Sequence, residues 1–453
     1  MNHSCSHLIK LLNLIIKPIV YDEKFSDERW KALDTYVAES SRWSVAYVCI
    51  KPIVIIPIII FCIFGALPLR PIEEGFWSNY SLLSISFISS CLAGAMLTLS
   101  FQYLFPQRKI PWNDFLSIVI TEGIGFTMAY SYLDTYVCFP FPFVTIFSTI
   151  CSSIPVGTAF YFILAKPLRE LPNFWSMLFH FGALSSLIFS MFVVYPYITY
   201  LFRQSQNRTG HQLLVIVLFV ATRRTFKKLL IIICQGVHRP APFLSVAYVN
   251  AFHAIYLSIV LQQGIDVISL LVVMIFDIGG NIFALREMYK IQQKYELEIS
   301  QSITPVGSTT KNEHKNKMRQ HLLIRAENWV LVEYVECIIP VTFSLLLCGF
   351  YFLESTNTEY YKIYKGLDWS KFRIMQRDLL IYAFLECTIL FLFVRSLVKL
   401  LKVPLWHLLG YILHTDFWPF MLLMTSWYGF SLSASLDHAG NNWSFYFQCR
   451  PPP

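Results

Sequence analysis

A chain of 453 residues with 55% hydrophobic, 17% aromatic and only 14% charged residues lies far below the roughly 25% charge of soluble domains. This excludes an ordinary globular enzyme, a disordered chain and a coiled coil, and leaves an all-α, polytopic integral membrane bundle. The net charge of +8 does not signal nucleic acid, because the Lys and Arg residues sit in short segments between apolar runs.

Residues 1–51 read as a cytosolic N-terminal segment. Within it, 8–20 (LIKLLNLIIKPIV) is interrupted by Lys10 and Lys17, and no small-residue cleavage site follows. That stretch is expected to lie as an amphipathic helix on the membrane surface. Apolar runs then follow at 52–68, 81–104, 115–132, 137–164, 174–200, 211–230, 243–262 and 265–285, and again at 329–352, 378–396 and 405–433. The first eight make a membrane unit over 52–285 and the last three another over 329–433. Residues 434–453 form a tail on the outer side.

The run at 211–230 is the weak one. Its unbroken apolar stretch runs only from Leu213 to Ala221, and Arg223, Arg224, Lys227 and Lys228 follow directly. Nine residues at about 1.5 Å each do not cross about 30 Å of hydrocarbon. The distribution of cations argues the other way. With a cytosolic N-terminus and eleven spans, 27 of the 36 Lys and Arg residues lie inside and 9 outside. Removing the weak span gives ten spans and a split of 17 and 19, which is no bias. The positive-inside rule therefore selects eleven. The sequons at Asn207 and Asn442 then fall outside as glycosylation candidates. They point to the plasma membrane or the secretory pathway. A third sequon, at Asn79, lies too near the membrane to be modified.

The polar stretch 286–328 begins with REMYKIQQKYELEIS, which continues the preceding span as a helix. The following QSITPVGSTTKNEHKNK reads as flexible, and a second helix starts at about Met318. This loop is the candidate contact for a cytosolic protein partner.

An ionisable side chain at the bilayer centre costs at least about 2.5–3.5 kcal/mol, so each one is a functional candidate. Glu122, Asp277, Glu336 and Glu386 lie deep in their runs and are the expected transport-path residues. His253, Glu333 and Asp416 are secondary candidates. Glu333 is about one turn from the cytosolic boundary and can snorkel. Asp416, in His414-Thr415-Asp416, marks a break or a local hydrogen-bond network. Gly279, Gly280 and Pro340 stand close after Asp277 and Glu336 and are expected to break those helices, as in many transporter sites. Central spans hold carboxylates but almost no Lys or Arg, so these acids must be protonated, hydrogen-bonded or solvated. That pattern favours a proton or cation path over an anion site.

Eleven cysteines are present without a CxxC pair or Cys/His spacing, so no metal site or cofactor is implied. Cys138 and Cys449 both fall outside and form the one candidate disulfide. No GxxxxGK[ST], HExxH or GxSxG motif occurs, and His253, His407 and His414 lack a second motif, so an enzyme is not the leading expectation. The expected function is a transporter or channel for a small solute or cation. The alternative is a receptor or sensor acting through 286–328.

Overall fold

The structure, a computed structural model, describes residues 27–104, 110–164, 174–205, 208–234, 246–262, 267–301, 308–353, 356–401 and 404–444. Among these residues there are no strands, and thirteen α-helices form the bundle. They are α1 (Asp27–Glu39), α2 (Arg42–Phe64), α3 (Tyr80–Leu104), α4 (Trp112–Tyr136), α5 (Val144–Ala159), α6 (Phe174–Gln204) and α7 (Thr209–Cys234). α8 (Ala251–Leu261), α9 (Val267–Gln301), α10 (Ser308–Phe352), α11 (Trp369–Leu401), α12 (Leu405–Thr415) and α13 (Phe417–Ser435) follow. In lipid every backbone polar group must be satisfied within the chain, and helices do this locally.

Among the described residues, eight helices are long and apolar enough to cross a membrane: α2, α3, α4, α5 with its π-turn at Phe160–Leu164, α6, α9, α10 and α11. The other three expected runs are also helical but irregular. α7 carries four cations. α8 is short and enters through a π-turn at Val246–Asn250. The last run is split at Asp416 (φ −107°, ψ 28°) into α12 and α13. The break is also a network, as Tyr103 donates to Asp416 Oδ1 at 2.9 Å.

Several boundaries differ from expectation. α2 begins ten residues early, where the Ser41 hydroxyl accepts from Ser44 N and caps the helix. The charged end of α9 stays helical to Gln301, and α10 is already helical from Ser308 rather than from about Met318. The polar segment expected to be flexible is therefore largely helix, and residues 302–307 lie outside the described set. The surface helix expected at 8–20 also lies outside it. An unforeseen helix, α1, packs on α12 with Leu33 buried and the Tyr36 ring 5.8 Å from Tyr411. Arg29 on α1 donates to Glu327 of α10 at 2.5 Å.

α8 and α10 form the centre. Every residue of α8 is buried, and α10 is buried along nearly all of its apolar length. The other helices turn apolar side chains such as Met128, Ile154, Ile275 and Phe384 outward, as a lipid-facing surface requires. α3, α4 and α5 pack on one another at one side, and α3 joins them to α13, where Ser426 donates to the Leu92 carbonyl. Here Gly94 and Gly123 let backbones approach, because a Cβ at Gly123 would stand 2.4 Å from Cys91 Sγ.

At one end the segments 65–79, 356–368 and 436–444 fold into a cap held by buried amides. Asn357 accepts from Leu69 N at 2.8 Å and donates to the carbonyls of Phe64 and Leu67. Asn79 accepts from Arg70 N at 2.8 Å. His438 bonds the Arg70 carbonyl through Nε2, and burial lowers its pKa below the ordinary 6.5 against the pull of that carbonyl, Asp437 and Glu73.

Candidate functional site

α7 looks like a poor span because it carries Arg223, Arg224, Lys227 and Lys228. The helix sorts these by face. Phe219, Phe226 and Leu230 are buried, and the 4-3-4 spacing of residues 219, 223, 226 and 230 places Arg223 on the same stripe. Arg224 is exposed. The Arg223 side chain, 17% exposed, points into the bundle between α8, α9 and α10.

Its guanidinium uses three nitrogens on three helices. Nε donates to Asn250 Oδ1 at 2.9 Å. Nη1 lies 3.5 Å from Asp277 Oδ1 on α9, and Nη2 donates to Glu336 Oε1 on α10. A planar fork is suited to such a junction, where a lysine would reach one acceptor at a time. The π-turn before α8 supplies Asn250; such turns recur at functional sites. One turn further along α7, Lys227 Nζ lies 5.1 Å from the Trp329 ring centroid, within electrostatic reach of Glu333 and Glu336.

Glu336 is also one of three carboxylates that meet beside this junction. Glu333 and Glu336 from α10 and Glu386 from α11 each offer an oxygen, and these oxygens lie within 4.8 Å of one another. Asn281 on α9 hydrogen-bonds Glu333, and its own Oδ1 is buried without a partner. Both Glu386 oxygens are buried beside the Tyr382 hydroxyl without a well-aligned hydrogen bond. Counting Asp277, the centre holds four acids against the two cations Arg223 and Lys227. Fully ionised, it would carry two uncompensated negative charges, which a buried site tolerates only by binding protons or a cation.

A line of groups leads from this centre to the cap. Asn250, His253 and Tyr256 recur every three residues on one face of the α8 segment. Tyr256 lines the floor of a cavity of about 670 Å³ under the cap, with Arg203, Lys362 and Asp437 on its walls. The Tyr195 ring is 5.8 Å from Tyr256 and 6.0 Å from His253. His253 packs 4.5 Å from Phe219 and shares with Asp277 a void of about 20 Å³, roughly the size of one water. Tyr195 Oη and His253 Nδ1 are buried without hydrogen-bond partners. Aromatic side chains thus separate cavity and charge centre by a thin layer.

The structure therefore gathers Asp277, Glu336 and Glu386 of the expected path, adds Glu333, and leaves Glu122 apart. Glu122 lies on α4, packed on α3 and α5, where it accepts from Ser152 Oγ at 2.8 Å. It borders a second, mostly apolar cavity of about 520 Å³. Glu333 does not snorkel; its residue is 2% exposed. The expectation that these acids lack cationic partners is corrected by Arg223 and Lys227, which the sequence reading placed in a cytosolic loop. None of the three expected breakers divides its helix. α9 runs unbroken through Gly279 and Gly280, where added Cβ atoms would meet nothing within 4 Å, and α10 runs through Pro340. The irregular backbone lies in α8 instead.

At the surface, Asn79 is buried in the cap, and Asn442 is partly exposed with its Oδ1 accepting from Ser444. Asn207 lies outside the described residues. Cys138 is disulfide-bonded; Cys449, its expected partner, lies outside them. No family model, no curated protein and no solved structure matches this chain.

Proposed function

We propose that the protein is a membrane transporter or channel that moves a small solute or cation through the Arg223-centred carboxylate site. One observation carries the reading: four carboxylates from α9, α10 and α11 converge with Arg223 of α7 deep in the bundle, one aromatic layer below a cavity. Intramembrane ionisable groups are costly and mark ion or substrate pathways by default. A purely structural pair would need one acid per cation; here acids outnumber cations two to one.

In this reading α7, α8 and the α12–α13 pair also cross, giving eleven spans with the N-terminus in the cytosol. The cation bias survives the move of Arg223 and Lys227 into the bundle, since the inner count falls by those two from 27 to 25 against 9. The cap then faces outward, with Asn442, on the plasma membrane or a secretory-pathway membrane. The acid excess selects cations or protons as the moving or coupling species.

The test is charge movement in proteoliposomes holding the purified full chain, with H⁺, Na⁺, K⁺, Mg²⁺, Ca²⁺ and Mn²⁺ gradients applied in turn. At least one gradient is expected to drive current, with Glu386→Gln reducing it by about tenfold or more and Glu122→Gln leaving it intact. A receptor acting through 286–328 would pass no current under any gradient, and that result would overturn the proposal.

A further inference from the structure

We infer that Glu333, Glu336 and Glu386 form a binding site for one hard divalent cation of the Mn²⁺, Mg²⁺ or Ca²⁺ class, with Asn281 Oδ1 as a neutral oxygen donor beside it. The inference rests on the transport reading only for its purpose; the site itself stands on its own geometry.

The spacing fits. Such cations hold oxygens at about 2.0–2.6 Å, so ligand oxygens on one ion lie no more than roughly 4–5 Å apart. The three carboxylates already offer oxygens within 4.8 Å of one another. The donor set is all oxygen, which suits Mg²⁺, Ca²⁺ and Mn²⁺ rather than thiolate-seeking metals.

The charge fits as well. Asp277 and one Glu336 oxygen are occupied by Arg223. With Lys227 counted, four acids and two cations leave a deficit of two positive charges, which one divalent ion fills. The unpartnered atoms point the same way. Glu386 is fully buried, and beside the Tyr382 hydroxyl neither of its oxygens has a well-aligned hydrogen bond. Asn281, only 6% exposed, hydrogen-bonds Glu333 and yet leaves Oδ1 without a donor. Buried polar atoms are rarely left so, and a cation held by the three carboxylates would give them a partner. Arg223 sets the limit. Its charge weakens the site, so affinity is expected in the range of weak carboxylate sites, which suits an ion that must leave again.

The experiment is Mn²⁺ titration of the purified full chain in detergent, read as loss of the free-ion EPR signal. About one Mn²⁺ per chain is expected to bind below about 1 mM, the weak end of carboxylate sites. Glu386→Gln and, separately, Glu333→Gln should weaken binding about tenfold or more while the helical circular-dichroism signal is retained. Glu122→Gln should bind as the unmodified chain does. Ca²⁺ or Mg²⁺ should compete. The inference is overturned if no Mn²⁺ binds, if both variants bind with unchanged affinity, or if the cluster only takes up protons on acidification. Binding without any current would sink the transport reading while leaving this site in place, and current without binding would do the reverse.

Discussion

Arg223→Gln is expected to destabilise the protein by about 3–5 kcal/mol, the range for removing one partner of a buried ion pair. The reason lies in what is left behind. Asp277 and Glu336 would keep their buried positions and lose their only guanidinium, and Asn250 would lose the Nε donor. The double variant Arg223→Gln/Glu336→Gln should recover more than half of the loss, because one orphaned acid goes with the cation. Arg223→Lys should not rescue, since an ammonium cannot reach three acceptors on three helices. Thermal unfolding in detergent by intrinsic fluorescence checks all three. An Arg223→Gln variant as stable as the parent would mean that this side chain lies in water or among headgroups.

Gly440→Ala is expected to cost about 2–4 kcal/mol, combining a left-handed backbone penalty with overpacking. Gly440 has φ +60°, and a Cβ there would stand 2.1 Å from the carbonyl oxygen of Phe141. That neighbour is backbone and cannot rotate away. Phe143 N also donates to the Gly440 carbonyl, so moving this turn disturbs the wall of the cap cavity that Gly440 helps line. Gly279→Ala is the contrast. Its Cβ would meet nothing within 4 Å in a continuous helix, and the change should stabilise by roughly 0.5–1 kcal/mol. Both are read from the same unfolding transition, and a Gly440→Ala variant that unfolds with the parent would contradict the close approach.

The all-α membrane class was legible because apolar runs and sparse charge leave no other solvent for such a chain. Asp277, Glu336 and Glu386 were legible because each is costly in lipid. Arg223 was not, because a hydropathy window counts charges without regard to face and stops α7 at the first cation. The missed signal was the buried stripe through Phe219, Arg223, Phe226 and Leu230. Asn250 carries no such signal: it reaches Arg223 through a π-turn, which alters the register that side-chain periodicity assumes. Gly279, Gly280 and Pro340 misled in the opposite direction. Glycine costs a helix only about 0.5–1 kcal/mol relative to alanine, too little to divide a long one, and the cost of a proline in a buried helix is a missing donor rather than a necessary break. Glu122 shows the limit of counting acids, for depth alone does not say which helices meet.

Transport through this site requires that α7 cross the membrane and carry Arg223 into the bundle. The direct measurement is topology around that helix in intact cells, reading glycosylation at Asn207 together with external-protease access to a tag inserted between residues 235 and 245. Opposite sides are expected, with Asn207 glycosylated and the tag protected until the membrane is opened. A glycosylated Asn207 with a tag cleaved from outside would put both ends of α7 on one side, remove Arg223 from the carboxylates, and contradict the site.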